Sequence, residues 1–407
     1  MSKVLSMILA GGEGSRLYPL TQSRTKPSVP FGGSYRLVDF ALNNFVNSDL
    51  LRIYVLTQFK SQSLNQHLSK AWELNNITDT FIDAIPAQMI MGKHWYSGTA
   101  DAIYQNIQFI QSDDAELVCI FGSDHIYKMD IRQQITFHEE KDAVLTVSAI
   151  KLPKEQAYHF GIIEVDEEGR MIGFTEKPAV EDAKTIPGDP DHVLASMGNY
   201  VFNSPALQEE LIRDAAIEDS SHDFGKDIIP YLYPQGNVFV YDFTTNSIHG
   251  ETGETYWRDV GTIESYWEAN MDLIQETPPI TLYNPKWQMH TYYPALPPAS
   301  FRNTDDSICR ISKSLISDGA YITGALIEKS VLGFKCIIGN NTEVKESVLL
   351  GESTIGKNCT ILKTIIDKDV HIADNVQIGV NSDEDRRRFT VSDEGIVVIP
   401  KGASIGF

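Results

Sequence analysis

The sequence predicts an α/β domain built on a Rossmann-like, mostly parallel sheet, followed by a left-handed parallel β-helix. Three observations carry this reading. Short β-branched runs alternate with helical stretches from residue 1 to about 276, the pattern of a parallel sheet covered by helices on both faces. The first of those runs, Val4 to Leu9, feeds straight into a glycine-rich turn. From about residue 311 the apolar residues recur at a spacing of six, with occasional slips of five or ten, which is the period of a hexapeptide-repeat β-helix.

In chain order, the run at 4–9 is a first strand and Gly11–Arg16 is its turn. A second β-branched run at 53–57 precedes a helical stretch that reaches about Trp72. Gly98 and Thr99 open a helix expected to continue through Ile110, with its N-terminus toward a ligand. The run at 116–121 is a buried-looking strand that ends in Gly122-Ser123-Asp124-His125. A helix over 130–141, strands at 143–150 and 162–165 and a turn at Glu167-Glu168-Gly169-Arg170 follow. A helix from about 263 to 275 closes the first domain, residues 1–276. Residues 277–310 carry Pro278-Pro279 and Pro297-Pro298, with three Tyr and one Trp between those pairs. Proline stops both helix and sheet, so this stretch reads as a linker packed on both neighbours. In 311–407, Ile316, Ile322, Leu332, Ile338, Val344, Leu350, Ile355, Ile361, Ile366, Ile372 and Ile378 form the repeat. Each stacks on the residue one coil earlier, and the open coil ends favour oligomerisation.

The chain has 407 residues, 42% of them hydrophobic, and a formal charge of −21. That length exceeds one ordinary domain. The negative charge argues against nucleic acid or an anionic membrane as partner, and no apolar run approaches the length of a membrane helix. The four cysteines, Cys119, Cys309, Cys336 and Cys359, form no C-x-x-C pair. They read as reduced core residues of a cytoplasmic protein.

The glycine-rich turn carries the chemistry. Gly11, Gly12 and Gly14 fall within four positions, so backbone amides can approach a ligand with no Cβ in the way. Successive amides in such a turn form an anion-binding concavity. Arg16 and Lys26 add cations at its exit, and Arg can grip a phosphate with two hydrogen bonds. The turn therefore reads as a cradle for a polyphosphate. Leu17 stands where a dinucleotide fingerprint needs its third glycine, and the near match to a phosphate-binding loop at Gly351–Asn358 ends in Asn inside the repeat. In a parallel sheet, ligands sit beyond the carboxyl ends of the strands. Both the glycine turn and Asp124 fall there.

Residues Gly11-Gly12-Glu13-Gly14-Ser15-Arg16-Leu17-Tyr18-Pro19-Leu20-Thr21, completed by Lys26-Pro27, resemble the signature of the sugar-1-phosphate nucleotidylyltransferases. The run Phe31-Gly32-Gly33-Ser34-Tyr35-Arg36-Leu37-Val38-Asp39-Phe40 resembles the glucose-1-phosphate adenylyltransferase branch of that family, and the resemblance extends over nearly the whole chain. It implies transfer of AMP from ATP to α-D-glucose 1-phosphate, giving ADP-glucose and pyrophosphate for glycogen synthesis. It assigns Arg16 and Lys26 to the phosphates, Gly11, Gly12, Gly14, Ser15, Gly98 and Thr99 to the nucleotide, and Gln88 to the adenine edge. It assigns Asp124 and Asp259 as metal carboxylates, which suits Mg²⁺ because that ion keeps several waters and phosphate oxygens. For the sugar phosphate it implies Tyr96, Gly161, Glu176, Lys177 and Ser196. Two departures stand out: Ser123 is inserted into the G-D-H-I-Y motif, and Asn199 replaces the usual Ile. His125 and His222 are expected to make structural hydrogen bonds rather than to bind ligands.

Three other readings are weighed. A non-catalytic regulatory subunit would lack the metal Asp or the loop Arg, and both are present. An acyltransferase needs a catalytic His at the coils, and only His371 follows residue 300. A uridine, thymidine or guanosine enzyme is disfavoured by the matches at 31–33 and at Trp95-Tyr96-Ser97-Gly98-Thr99-Ala100-Asp101. The resemblance further implies anionic metabolite effectors bound by Arg24, Arg36, Arg387 and Arg388. Ser23, Pro30 and Ser34 stand where relatives carry cations, so weak or altered activation by sugar bisphosphates is expected. The assembly is expected to be a homotetramer or a hetero-oligomer with a paralogous subunit.

Overall fold

The computed structural model describes residues 2–74, 79–88 and 95–406. Its first half is a nine-stranded sheet in which Val4–Ala10 lies between Leu117–Gly122 and Arg52–Thr57, all three parallel. Phe81–Pro86 extends the parallel side. Every strand runs with Val4–Ala10 except His192–Asn203 and Met171–Glu176, whose neighbours pair with them antiparallel. Val4–Ala10 is almost wholly apolar because it is covered on both faces: Leu5 and Met7 enter one buried cluster and Ile8 and Ala10 the other.

The helix expected from Thr99 through Ile110 is broken. Thr99–Tyr104 ends, and Ile107–Asp113 begins from Asn106. The Asn106 side chain donates to the Ala102 carbonyl at 2.8 Å, the acceptor that its own backbone amide would need if the helix ran on. Asn competes with helical bonding in this way.

The β-helix has three sheets whose strands stack in register. Ile322, Ile338, Ile355, Ile372 and Ile405 form one buried column; Ile327, Val344, Ile361 and Ile378 form a second, and Leu332, Leu349, Ile366 and Ile399 a third. The coils begin earlier than the sequence period shows. Ser300–Arg302, inside the stretch read as linker, already pairs with Tyr321–Thr323. Its Phe301 is half exposed and stands 21 residues before its partner Ile322, against 16 and 17 for the next two coils, so the repeat spacing missed it.

The two halves share one core. Leu17, Phe40 and Tyr266 from the first half, Trp287 and Met289 from the connecting segment, and Val331, Val348, Ile365 and Val398 from the β-helix belong to a single buried cluster. Arg24 also reaches across, its guanidinium donating to the buried Asp367 carboxylate of the β-helix. No helix among the described residues is long and apolar enough to cross a membrane.

Candidate active site

The carboxyl ends of Val4–Ala10, Arg52–Thr57 and Leu117–Gly122 open onto a cleft of about 650 Å³. Gly11, Gly12, Gly14, Ser15, Arg16 and Lys26 line it, as do Tyr96, Gly98, Thr99, Asp124, Glu176 and Lys177. The glycine turn is held from behind: Thr21 Oγ1 donates to the Gly14 carbonyl at 2.9 Å, and Thr25 Oγ1 donates to that of Gly12 at 3.3 Å. Gly14 has φ +64°, and a Cβ there would stand 2.8 Å from Lys26 Cβ. A side chain at 14 would therefore push Lys26 out of place.

Lys26 is the centre of the charge arrangement. Its Nζ donates to Asp124 Oδ2 at 2.8 Å and to Asp259 Oδ1 at 3.1 Å, while the side chain is only 8% exposed. Burial works to lower its pKa, but the two carboxylates outweigh burial and raise it. Burial likewise opposes charge on Asp124, yet Lys26 and His125 hold that carboxyl well below the usual range. Asp259 arrives from far along the chain because Trp257–Asp259 pairs antiparallel with His125–Tyr127, setting Asp259 opposite His125. The inserted Ser123 has a local explanation. Its hydroxyl donates to the Leu9 carbonyl at 2.6 Å and so ties the ends of the two central strands together. Asn199 is likewise accommodated, its amide donating to the Tyr127 hydroxyl at 3.1 Å.

His125 departs from the expected structural hydrogen bond. Its Nε2 lies 3.7 Å from Asp124 Oδ1 and 3.9 Å from Asp259 Oδ1, and its Nδ1 is buried with no hydrogen-bond partner. His222 meets the expectation, with Nδ1 and Asp214 Oδ2 2.8 Å apart. Asp124, His125 and Asp259 bring ligand atoms within 4.8 Å of one another. Two carboxylates with the His125 Nε2 beside them, already gathered around a cation, are a donor set that fits a divalent metal.

On the far wall, Lys177 Nζ lies 2.8 Å from Glu176 Oε1. Gly161 does not line the cleft; a Cβ there would meet Phe174 at 2.4 Å and Glu176 Oε2 at 2.9 Å, so it makes room for the Glu176 side chain. Ser196 is also off the described lining. Its Oγ accepts from the amide of Gly198, which does line the cleft, at 3.3 Å. Gln88 is exposed beyond Phe81–Pro86 and absent from that lining, and residues 89–94 after it lie outside the described residues. The first amides of the Thr99 helix are partly committed: Ala100 N–H donates to the His222 carbonyl at 2.8 Å. Thr99 Oγ1 donates to Asp223 Oδ2 at 2.9 Å and accepts from the Phe224 amide.

Several lining residues carry no assignment from the sequence. Gln58 and Phe59 follow Arg52–Thr57 at the same sheet edge, and Asp223 and Gly225 line the wall beside Glu176. Only the position of Gln58 directly after a β-branched run could have flagged it.

The four arginines assigned to effectors do not form one group. Arg24 is buried on Asp367. Arg36 donates to the Ser63 carbonyl at 2.8 Å and borders a cavity of about 140 Å³ between the halves, with His67, Lys70, Lys335, Glu352 and Lys368. Arg387 and Arg388 lie on the exposed helix Ser382–Arg388, where Arg388 pairs with Glu384 at 3.0 Å. Among the described residues no contact joins them to Arg24 or Arg36. Lys368, whose pKa burial lowers, is with Lys70 and Lys335 a cation of this cavity that the sequence did not single out.

The Nucleotidyl transferase family model matches residues 5–276, and the model for the GlmU-like C-terminal hexapeptide region matches 297–399. A glucose-1-phosphate adenylyltransferase of Aliivibrio fischeri is 64% identical over the full length of both chains. The chain belongs to the glucose-1-phosphate adenylyltransferase family. Relatives from Vibrio parahaemolyticus, named glucose-1-phosphate adenylyltransferase 1, and from Anaeromyxobacter are 62% and 48% identical, again over the whole of each chain. It is a nucleotidyltransferase, and enzymes of this family generally use a divalent metal.

Proposed function

We infer that the chain joins ATP and α-D-glucose 1-phosphate to give ADP-glucose and pyrophosphate. One observation carries the reading: the glycine turn, the Arg16, Lys26 and Lys177 cations and Asp124 all line a single cleft, and Lys26 links Asp259 to Asp124 at its edge. A phosphate oxygen of glucose 1-phosphate attacks the α-phosphorus of ATP. The bond from that phosphorus to the bridging oxygen breaks, and its electron pair leaves with pyrophosphate. The second pKa of a phosphate monoester is about 6, so the nucleophile is mostly ionised near neutral pH and needs no general base. The residues therefore position and neutralise. Gly11, Gly12, Gly14 and Ser15 cradle the triphosphate with Arg16, Lys177 places the attacking phosphate, and Glu176 accepts from a sugar hydroxyl. Asp124 and Asp259, with His125 beside them, would hold Mg²⁺, which supplies charge neutralisation at the phosphates when bound. Gln88 or Gln58 would read the adenine edge, since an amide offers donor and acceptor together.

Pyrophosphate release with glucose 1-phosphate, Mg²⁺ and each of the four common nucleoside triphosphates tests this reading. ATP is expected to be the fastest substrate. Faster turnover of UTP or dTTP would overturn the base assignment, and no turnover with any would make the chain a non-catalytic subunit.

Weak activation by sugar bisphosphates fits the commitment of Arg24 to Asp367 and the separation of Arg387 and Arg388 from Arg36. The site for anionic effectors is then the cavity bordered by Arg36 and Lys368. The assembly rests on the open end of the β-helix. Phe301, Ile308 and Ile311 are 49%, 61% and 37% exposed there, and Ser300–Arg302 and Arg310–Ser312 are edge strands of their sheets. Such an end is a template for a further chain. The double variant Phe301→Asp/Ile311→Asp is expected to shift the particle to a smaller species by light scattering; an unchanged mass would remove this end from the interface.

A further inference from the structure

We propose that Lys26 is a placeholder cation, which holds Asp124 and Asp259 together until nucleotide arrives and thereby keeps divalent metal off the nucleotide-free protein. The proposal rests on the functional reading above and adds an order of binding to it. The Lys26 ammonium sits between the two carboxylates, at 2.8 Å from one and 3.1 Å from the other. Those carboxylates are the ones a metal would take, and an ammonium already seated on them repels a second cation. Two carboxylates this close repel each other unless a positive group lies between them. Lys26 supplies that group from a stem fixed against the glycine turn, where Gly14 leaves space for it.

The consequence follows from what happens to Lys26 if it is displaced. The residue is 6% exposed, and both of its side-chain hydrogen bonds go to these carboxylates. A metal ion arriving alone would leave a buried ammonium with no partner, which is strongly unfavourable. Nucleotide changes this, because the triphosphate enters beside Lys26 in the same cleft and gives the ammonium a new anionic partner. Lys26 then passes from carboxylates to phosphate as the carboxylates become free for metal. Metal and nucleotide each tighten the binding of the other, and by linkage the two factors are equal.

The test is nucleotide-free Mn²⁺ binding to the full-length protein, read by electron paramagnetic resonance of the free ion. The native protein is expected to bind weakly. Lys26→Met, which keeps the stem and removes the charge, is expected to bind about tenfold more tightly or better, within the range typical of coupled sites. Lys26→Arg should stay weak, and Lys26→Met/Asp124→Asn should lose the gain, which assigns it to this pair. Lys26→Gln replaces Lys26→Met if thermal melting shows that the latter does not fold. Equal or weaker binding by the charge-removed variant overturns the proposal. ADP-glucose synthesis by the native protein is measured alongside: synthesis without tightening refutes the placeholder alone, and tightening without synthesis refutes the assigned reaction alone.

Discussion

Asp124→Ala is expected to lower kcat for ADP-glucose formation by about 10²–10³-fold, the cost typical of removing one preorganised electrostatic partner of the transition state. Asp124 follows Leu117–Gly122 at the mouth of the sheet, shares Lys26 with Asp259 and has His125 within 3.7 Å. Its loss removes half of the metal-holding pair while Asp259 still accepts from Lys26, so the fold is expected to persist. Initial rates at saturating ATP and glucose 1-phosphate, with a thermal melt as control for folding, decide the matter. Undiminished kcat would show that this carboxylate takes no part in the chemistry.

Arg24→Ala is expected to destabilise the protein by about 3–5 kcal/mol, because breaking a buried ion pair leaves one charge uncompensated. Arg24 and Asp367 have side chains only 6% and 1% exposed. The pair joins the segment that leads into Lys26 to the β-helix, so the loss should reach the cleft as well as the interface between the halves. Arg24→Met/Asp367→Leu separates the charge from the packing. Replacing such a pair with apolar groups is often neutral or stabilising, and the double variant is expected to recover most of the stability lost in the single one. Urea unfolding of the three proteins measures this; an Arg24→Ala midpoint equal to that of the native chain would contradict it.

Much of the architecture was legible because it follows from short-range patterns. The hexapeptide column at Ile338, Ile355 and Ile372 is a period that depends on stacking alone. The glycine turn is a local backbone requirement, visible in any strand-to-loop transition that also carries Arg16 and Lys26. Proximity across the chain was not legible from the residues alone. Asp259 reaches Asp124 through a two-stranded pairing of short segments, and nothing in the run 256–262 announces its partner. Read from the sequence, His125 makes a structural hydrogen bond; only the fold shows its Nδ1 left without a partner. Gly161 and Ser196 illustrate the opposite limit. Their motifs match the sugar side of the family pattern, and the fold sets one against Glu176 and the other against Gly198, both of which line the cleft. A motif identifies a position without separating the residue that touches a ligand from the one that shapes its neighbour.

The central claim is that the sugar phosphate attacks ATP directly within one cleft, with no protein nucleophile between them. The stereochemical course at the α-phosphorus tests it most directly, using a single diastereomer of ATP with sulfur in place of one α-phosphate oxygen. One in-line displacement predicts inversion in the ADP-glucose product. Retention would require two displacements through a covalent nucleotidyl–protein species and would contradict the account.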